Sequence, residues 1–316
     1  MYSMNTNYEK LTVKMAINLA NPPSWAASVL PALFAIAFCY ASGAFIPIWK
    51  AVFLLVCCVL MQAAVNTLND YFDYVSGTDS KEDVLEKNDA VLLYNNINPK
   101  HALMLGIGFL VVAAGLGVTA AIGSGWAPFI IGIIGGLCVI FYTGGKTPIS
   151  SLPIGELISS LVMGGGIPLA IYAVARKGFG ISILLFSVPF IIGIALIMMT
   201  NNTCDIEKDI KAGRKTLPTL LGRKTAIVVY RVLTIIWMFA TWSLPMLALG
   251  KAGIFAPILE CLFTFKNVKF LCTSPLDQPN RINQMKGILK ANLKLNLIYI
   301  AFFAAFAIKV WVSVVD

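Results

Sequence analysis

Charge is what this chain has least of. Only 12% of its 316 residues are Asp, Glu, Lys or Arg, about half the roughly 25% found in soluble domains. So few charges cannot cover the water-facing surface of two soluble domains, which excludes that reading. Histidine is represented by His101 alone, so a His-built zinc site or acid–base relay has no material. The seven cysteines (39, 57, 58, 138, 204, 261 and 272) lie mostly in apolar runs, never at CxxC spacing. Neither a metal ribbon nor a disulfide framework is indicated. Residues 1–19 lack the apolar core and A-x-A site of a cleavable signal, so the first apolar run is expected to be retained.

What is present is apolar. The hydrophobic fraction is 58% and the mean hydropathy +0.81, with runs long enough for the ~20 helical residues that cross a hydrocarbon core. The pattern predicts an all-α membrane protein, one domain over 1–316. Residues 1–23, with Glu9, Lys10 and Lys14, read as an amphipathic segment on the membrane surface. Spans are expected near 24–43, 50–69, 102–122, 126–143, 154–174, 181–203, 224–248, 252–271 and 293–314, nine in all. The eighth carries Glu260 and Lys266 and is the weakest by composition.

The net charge of +9 reads as basic loops beside an anionic leaflet, not as a nucleic-acid surface. With nine spans, the loops on the N-terminal side hold 18 of the 24 basic residues. The positive-inside rule therefore predicts a cell-membrane protein with that side in the cytoplasm.

The acidic residues are few and unevenly placed. Of 15, seven fall between Asp70 and Asp89 and three between Asp205 and Asp209. Both windows follow a predicted span, and both fall on the cytoplasmic side. Glu82, Asp83, Glu86 and Asp89 read as a solvated run. The others recur at helical spacing. Asn66, Asn69, Asp70 and Asp73 share one face if the second helix continues to Gly77, and Asp205 and Asp209 are i, i+4 with Asn201 and Asn202 one turn earlier.

Like charges so placed repel, and carboxylates cost roughly 2.5–3.5 kcal/mol each at mid-membrane, so a cation should offset them. Oxygen-only ligands suit a hard cation such as Mg²⁺, whose shell is usually completed by phosphate and water. Lys211, Arg214, Lys215, Arg223 and Lys224 supply further positive charge. Two carboxylate sets beside an apolar bundle fit a substrate with a diphosphate head and a long hydrocarbon tail.

At these residues the chain resembles the UbiA superfamily of intramembrane prenyltransferases. Asn69-Asp70-Tyr-Phe-Asp73, with Gly77-Thr-Asp79, is similar to the family's first aspartate-rich motif. Asn201-Asn202-x-x-Asp205-x-x-x-Asp209, with Gly213-x-x-Thr216, is similar to its second. Tyr142-Thr-Gly-Gly-Lys146-Thr-Pro148, with Gly155-Glu156, resembles its central loop.

The spacings are those of the 1,4-dihydroxy-2-naphthoate branch. Departures include Cys204, where that branch usually has Arg, and Asn21-Pro22-Pro23, which lacks the usual basic residue. The resemblance implies nine helices around a lipid-accessible chamber. It also implies Mg²⁺-dependent transfer of a polyprenyl group from its diphosphate to an aromatic acceptor, most naturally that naphthoate, with loss of CO₂, as in menaquinone synthesis.

It assigns metal binding to Asp70, Asp73, Asp79, Asp205 and Asp209. Diphosphate contacts fall to Asn66, Asn69, Asn201, Asn202, Lys146, Arg214 and Lys215. Tyr142 would face the allylic cation, and Glu156 would orient the acceptor. Other acceptors (4-hydroxybenzoate, homogentisate, haem or a glycerol phosphate ether) belong to the same class. A divalent-cation transporter is the rival from another class; its ionisable residues would sit at the midplane on broken helices. A CDP-alcohol phosphotransferase is disfavoured by the absence of its Asp-Gly-x-x-Ala-Arg signature. Gly164-Gly165-Gly166 lies inside a predicted span and reads as a close helix contact.

Overall fold

The computed structural model describes residues 8–78 and 90–315. Asp79, Glu82, Asp83, Glu86 and Asp89 lie outside the described residues. Among those described, every regular element is helical, and an isolated bridge pairs Glu9 with Ile97.

Helix α1 (Val13–Ala20) starts at Thr12, whose hydroxyl accepts from Met15 N at 3.2 Å, and ends at Asn21 in the left-handed region. Helix α2 (Ala26–Ala41) follows, then α3 (Ile48–Ser76), which runs past Asp73 to a left-handed Gly77 cap as the spacing predicts. A short α4 (Val91–Tyr94) precedes α5 (Pro99–Ala121), which Asn98 caps, with Pro at its first position. Helix α6 is Ala127–Thr143 and α7 is Gly155–Ser160. A π-helical turn, Leu161–Gly166, leads into α8 (Ile167–Arg176).

The expected span at 181–203 is broken into α9 (Ser182–Phe186) and α10 (Val188–Cys204). The break comes where the Ser187 hydroxyl turns back to the Ile183 carbonyl and Pro189 follows. Helix α11 (Ile206–Lys211) leads to α12 (Leu217–Leu249), interrupted at Gly222 (φ 73°). The chain closes with α13 (Phe255–Thr273) and α14 (Arg281–Val315). The last helix begins well before residue 293, since Asp277 and Pro279 supply its start signal.

Among the described residues, six helical stretches are long and apolar enough to cross a membrane: 13–41, 48–76, 99–121, 155–176, 217–273 and 278–310. The stretch 217–273 contains both α12 and α13, and α6 and α10 are shorter apolar helices. Large apolar side chains such as Val111, Leu262 and Phe265 stay exposed, as a lipid-facing surface requires. Glu260, buried on α13, accepts from the Thr241 hydroxyl of α12 at 2.6 Å, while Lys266 points outward. The two charges that weakened the eighth span are thus one paired and one exposed.

The core joins distant segments. Phe34 of α2 stacks on Phe190 of α10 at 4.9 Å and meets Tyr299 and Phe303 of α14 at 5.5 and 5.3 Å. A second cluster packs Leu196 and Met199 of α10 against Tyr230 and Trp237 of α12 and Ile288 and Leu295 of α14. Gly164 lets the π-helical turn approach α10, because a Cβ there would lie 2.5 Å from the Ile191 backbone. That is the close helix contact expected of the glycine run. Together these contacts hold α10, which carries Asn201 and Asn202 of the second motif, against α2, α12, α14 and the π-helical turn.

Candidate active site

The first motif occupies the last turns of α3. Asn69 Nδ2 donates to Asp73 Oδ2 at 2.6 Å, an i, i+4 pair, and Asp73 is only half-buried. Asp70 is buried and turned to a different partner. Its Oδ2 accepts from Val91 N at 2.6 Å and its Oδ1 from Leu92 N at 3.1 Å. The carboxylate thereby caps the first turn of α4, where N–H groups without an intrahelical partner attract an anion. Asn66 is also committed elsewhere: its amide donates to Ala20 O at 2.9 Å and Ser24 Oγ at 2.7 Å, tying α3 to the α1–α2 junction.

The second motif straddles the joint between α10 and α11. Asp205 sits at that joint, buried, with Oδ2 accepting from Arg281 Nε at 2.9 Å. The same guanidinium donates through Nη2 to Asn201 Oδ1 at 2.6 Å. Asn202 Nδ2 donates to Glu156 Oε1 at 2.8 Å, linking α10 to α7.

Asp209 is 2% exposed. It accepts from the Thr216 hydroxyl at 3.0 Å and faces Arg214 Nη1 at 3.4 Å. Burial pushes its carboxyl above the ordinary value, against the pull of Arg214 and Thr216. Glu207, on the outer side of α11, accepts through both carboxylate oxygens from Arg223 Nη2 at 2.8 and 2.6 Å. Burial is the largest single influence and raises that carboxyl, but the hydrogen bonds and charge of Arg223, with a backbone hydrogen bond, together outweigh it and hold the group below the ordinary value.

The central loop bridges the two motifs. Gly144 follows α6 with no room for a side chain, since a Cβ would lie 2.7 Å from the Ile140 carbonyl oxygen and 3.3 Å from the ring of Phe72 on α3. On its other flank, Arg214 Nη2 donates to Ser150 O at 3.0 Å and Lys215 N to Ser151 O at 2.9 Å. Tyr142, at the end of α6, lies near Ser159 and within electrostatic reach of Glu156, Arg214 and Asp73. Those neighbours come from α7, the loop after α11, and α3. Lys146 and Lys215 are exposed on the same loops.

Several side chains named from sequence therefore act first as braces: Asp70 for α4, Asn66 for the α1–α2 junction, Asp209 for the Arg214 loop. Asp73 pairs with Asn69 near the end of α3, and Asp205 and Asn201 share the Arg281 guanidinium at the α10–α11 joint. Among the described residues, no three His, Cys, Asp or Glu side chains converge closely enough to hold a metal unaided; Asp79 lies outside them. The donors are carboxylate and amide oxygens, which fit a hard divalent cation held by few protein ligands and completed by phosphate and water.

Arg281 and Ser159 were not singled out from sequence. Arg281 carried a readable signal, because it opens a helix directly after the Asp277-Gln-Pro-Asn280 start. Its partner could not be read, since Asp205 is 76 positions away.

Residues 28–286 match the family model described as the UbiA prenyltransferase family. The 1,4-dihydroxy-2-naphthoate octaprenyltransferase of Bacillus subtilis (strain 168) is 30% identical over 245 residues, which is 78% of this chain and 73% of that protein. The UbiA prenyltransferase domain-containing protein 1 of Xenopus tropicalis is 29% identical over 221 residues, covering 67% of this chain and 61% of its own length. Among solved structures, a UbiA homolog from Archaeoglobus fulgidus bound to GPP and Mg²⁺ superposes with a TM-score of 0.64. It shares 17% identity and covers 93% of this chain and 99% of its own. At that identity the likeness establishes the fold.

Proposed function

Because the chain belongs to the UbiA prenyltransferase family, and is therefore a prenyltransferase, we propose that it moves a polyprenyl group from a polyprenyl diphosphate to 1,4-dihydroxy-2-naphthoate, at the cytoplasmic face of the cell membrane. The observation that carries the reading is the position of Tyr142, whose surroundings draw on Asp73 from the first motif and on Arg214 and Glu156 from the second motif's side. The acceptor assignment is supported by the motif spacings and by the activity for which the Bacillus subtilis relative is named. Nine crossings around a lipid-accessible chamber remain part of the proposal, supported by the six long apolar stretches, by α6 and α10, and by the division of 217–273 into two helices.

In this reading Asp73 with Asn69, and Asp205 with Asn201, hold Mg²⁺, with Asp70 and Asp209 fixing the segments that present them. Bound Mg²⁺ supplies charge neutralisation for the departing diphosphate. Lys146, Arg214 and Lys215 add positive charge at the rim. The C1–O bond of the prenyl diphosphate breaks, and its electron pair leaves with the diphosphate. The ring of Tyr142 faces the allylic cation, and the apolar helices keep water from it. Glu156, fixed by Asn202, orients the acceptor; the carboxylate-bearing ring carbon forms the new C–C bond, and its carboxylate leaves as CO₂.

Purified protein incubated with Mg²⁺, a long polyprenyl diphosphate and each candidate acceptor should give a prenylated product and CO₂ only with the naphthoate, read by mass analysis. Product with 4-hydroxybenzoate or homogentisate instead would move the enzyme to another branch. Asp73→Asn and Asp205→Asn should each abolish transfer while membrane insertion persists; wild-type turnover in either would refute the assignment. Asp70→Asn should also lose transfer, by releasing α4.

A further inference from the structure

We propose that Arg281 makes metal and diphosphate binding mutually dependent, by occupying Asp205 and Asn201 until a diphosphate arrives to take the guanidinium. This rests on the reading of Asp205 and Asn201 as ligands at a diphosphate site.

Three arginine–carboxylate pairs are found among the described residues, and they differ in setting. Arg223 and Glu207 meet at the surface, with side chains 26% and 61% exposed. Arg214 faces Asp209, which is also held by Thr216 and serves as a brace. Arg281 and Asp205 are both nearly buried, at 11% and 9%, and Asp205 is a proposed metal ligand. Arg281 also takes Asn201 Oδ1, the amide oxygen on the same rim. One side chain from α14 thus covers two of the oxygens that a cation would need.

The backbone beneath Arg281 is fixed. Asp277 Oδ1 accepts from Asn280 N and Nδ2 at 3.3 and 2.8 Å immediately before it. Three residues on, the Gln284 side-chain oxygen accepts from Cys204 Sγ at 3.4 Å. The coupling needs only the side chain of Arg281 to move.

A divalent cation arriving alone at Asp205 would have to displace the guanidinium. It would leave Arg281 nearly buried, without its carboxylate and beside a dication, which is a strongly unfavourable arrangement. A diphosphate removes the conflict. Its oxygens complete the metal shell, and two of them can also accept from the planar guanidinium in bidentate fashion. Asp205 and Asn201 then pass to the metal while Arg281 passes to the diphosphate. Thermodynamic reciprocity requires that each ligand tighten the other by the same factor. The site is thereby protected from filling with metal when no prenyl donor is present.

The test uses the full-length protein in detergent or nanodiscs, with Mn²⁺ binding read by electron paramagnetic resonance with and without inorganic pyrophosphate. Wild type should bind Mn²⁺ weakly alone and at least about fivefold more tightly with pyrophosphate, within the usual range of coupling. Arg281→Gln should bind Mn²⁺ alone more tightly than wild type and lose the enhancement by pyrophosphate. Arg281→Lys, which keeps the charge and loses the fork, should fall between the two, and it is the deciding variant if Arg281→Gln fails to fold. A merely structural role would weaken both measurements together, and that result, or an unchanged enhancement in either variant, would overturn the proposal. If wild type transfers prenyl groups but the variants keep the enhancement, the coupling alone is wrong. If wild type neither transfers nor binds Mn²⁺ with pyrophosphate, the functional reading itself fails.

Discussion

Glu207 and Asp209 sit two positions apart on α11, yet their surroundings shift them in opposite directions. Burial raises Asp209, so the folded state holds its proton more tightly than the unfolded chain does. Its contribution to stability is fully present below the ordinary aspartate value of about 4 and is lost as pH rises through the folded value. Glu207, lowered by Arg223, contributes stability above the ordinary glutamate value that is lost as pH falls through the folded one. Thermal unfolding followed from pH 3 to 8 in chelator should therefore show opposite slope changes. Relative to wild type, Asp209→Asn should make stability rise more with pH, and Glu207→Gln should make it rise less. Slopes that change in the same direction would show that the two carboxyls are not in the environments described. Asp209→Asn should also cost about 1–3 kcal/mol, because Arg214 loses its buried partner.

At the scale of the element, the helices depart from regularity where they serve the site. α3 keeps its period to Gly77, which is why Asn69 and Asp73 could be paired from spacing alone. The π-helical turn before α8 presses Gly164 onto the backbone of Ile191, and α10 beyond it carries Asn201, Asn202 and, at its end, Asp205. A methyl group at Gly164 forces two backbones apart, so Gly164→Ala should destabilise by ~1–3 kcal/mol and reduce transfer by displacing the second motif. A Cβ added at Gly132 on α6 would meet nothing within 4 Å, and Gly132→Ala should leave unfolding temperature and turnover near wild type. Equal effects of the two substitutions would remove the case for that close approach.

At the scale of the whole molecule, charge asymmetry and the apolar exterior act together. With nine crossings, as proposed, the basic residues concentrate on the side that carries Asp73, Asp205, Lys146 and Lys215, which the positive-inside rule puts in the cytoplasm. A cysteine placed at Lys251, on the opposite side, should react with a membrane-impermeant maleimide in intact cells. One placed at Lys215 should react only after the membrane is opened. Labelling of Lys215→Cys in intact cells would invert the topology and place the site outside.

The sequence by itself determined the class of the protein and the chemistry available to it. A backbone without water must satisfy its own hydrogen bonds as helices, and the 3.6-residue period sets Asn69 beside Asp73 whatever the rest of the chain does. Only the tertiary structure decided which partner each carboxylate and amide takes. Asp70 is paired with amides 21 and 22 positions away, Asn202 with Glu156 46 positions away, and Asp205 with Arg281 76 positions away. Such partners are chosen by how helices pack, through Gly164 on Ile191 and Phe34 on Phe190, and no local period encodes that choice.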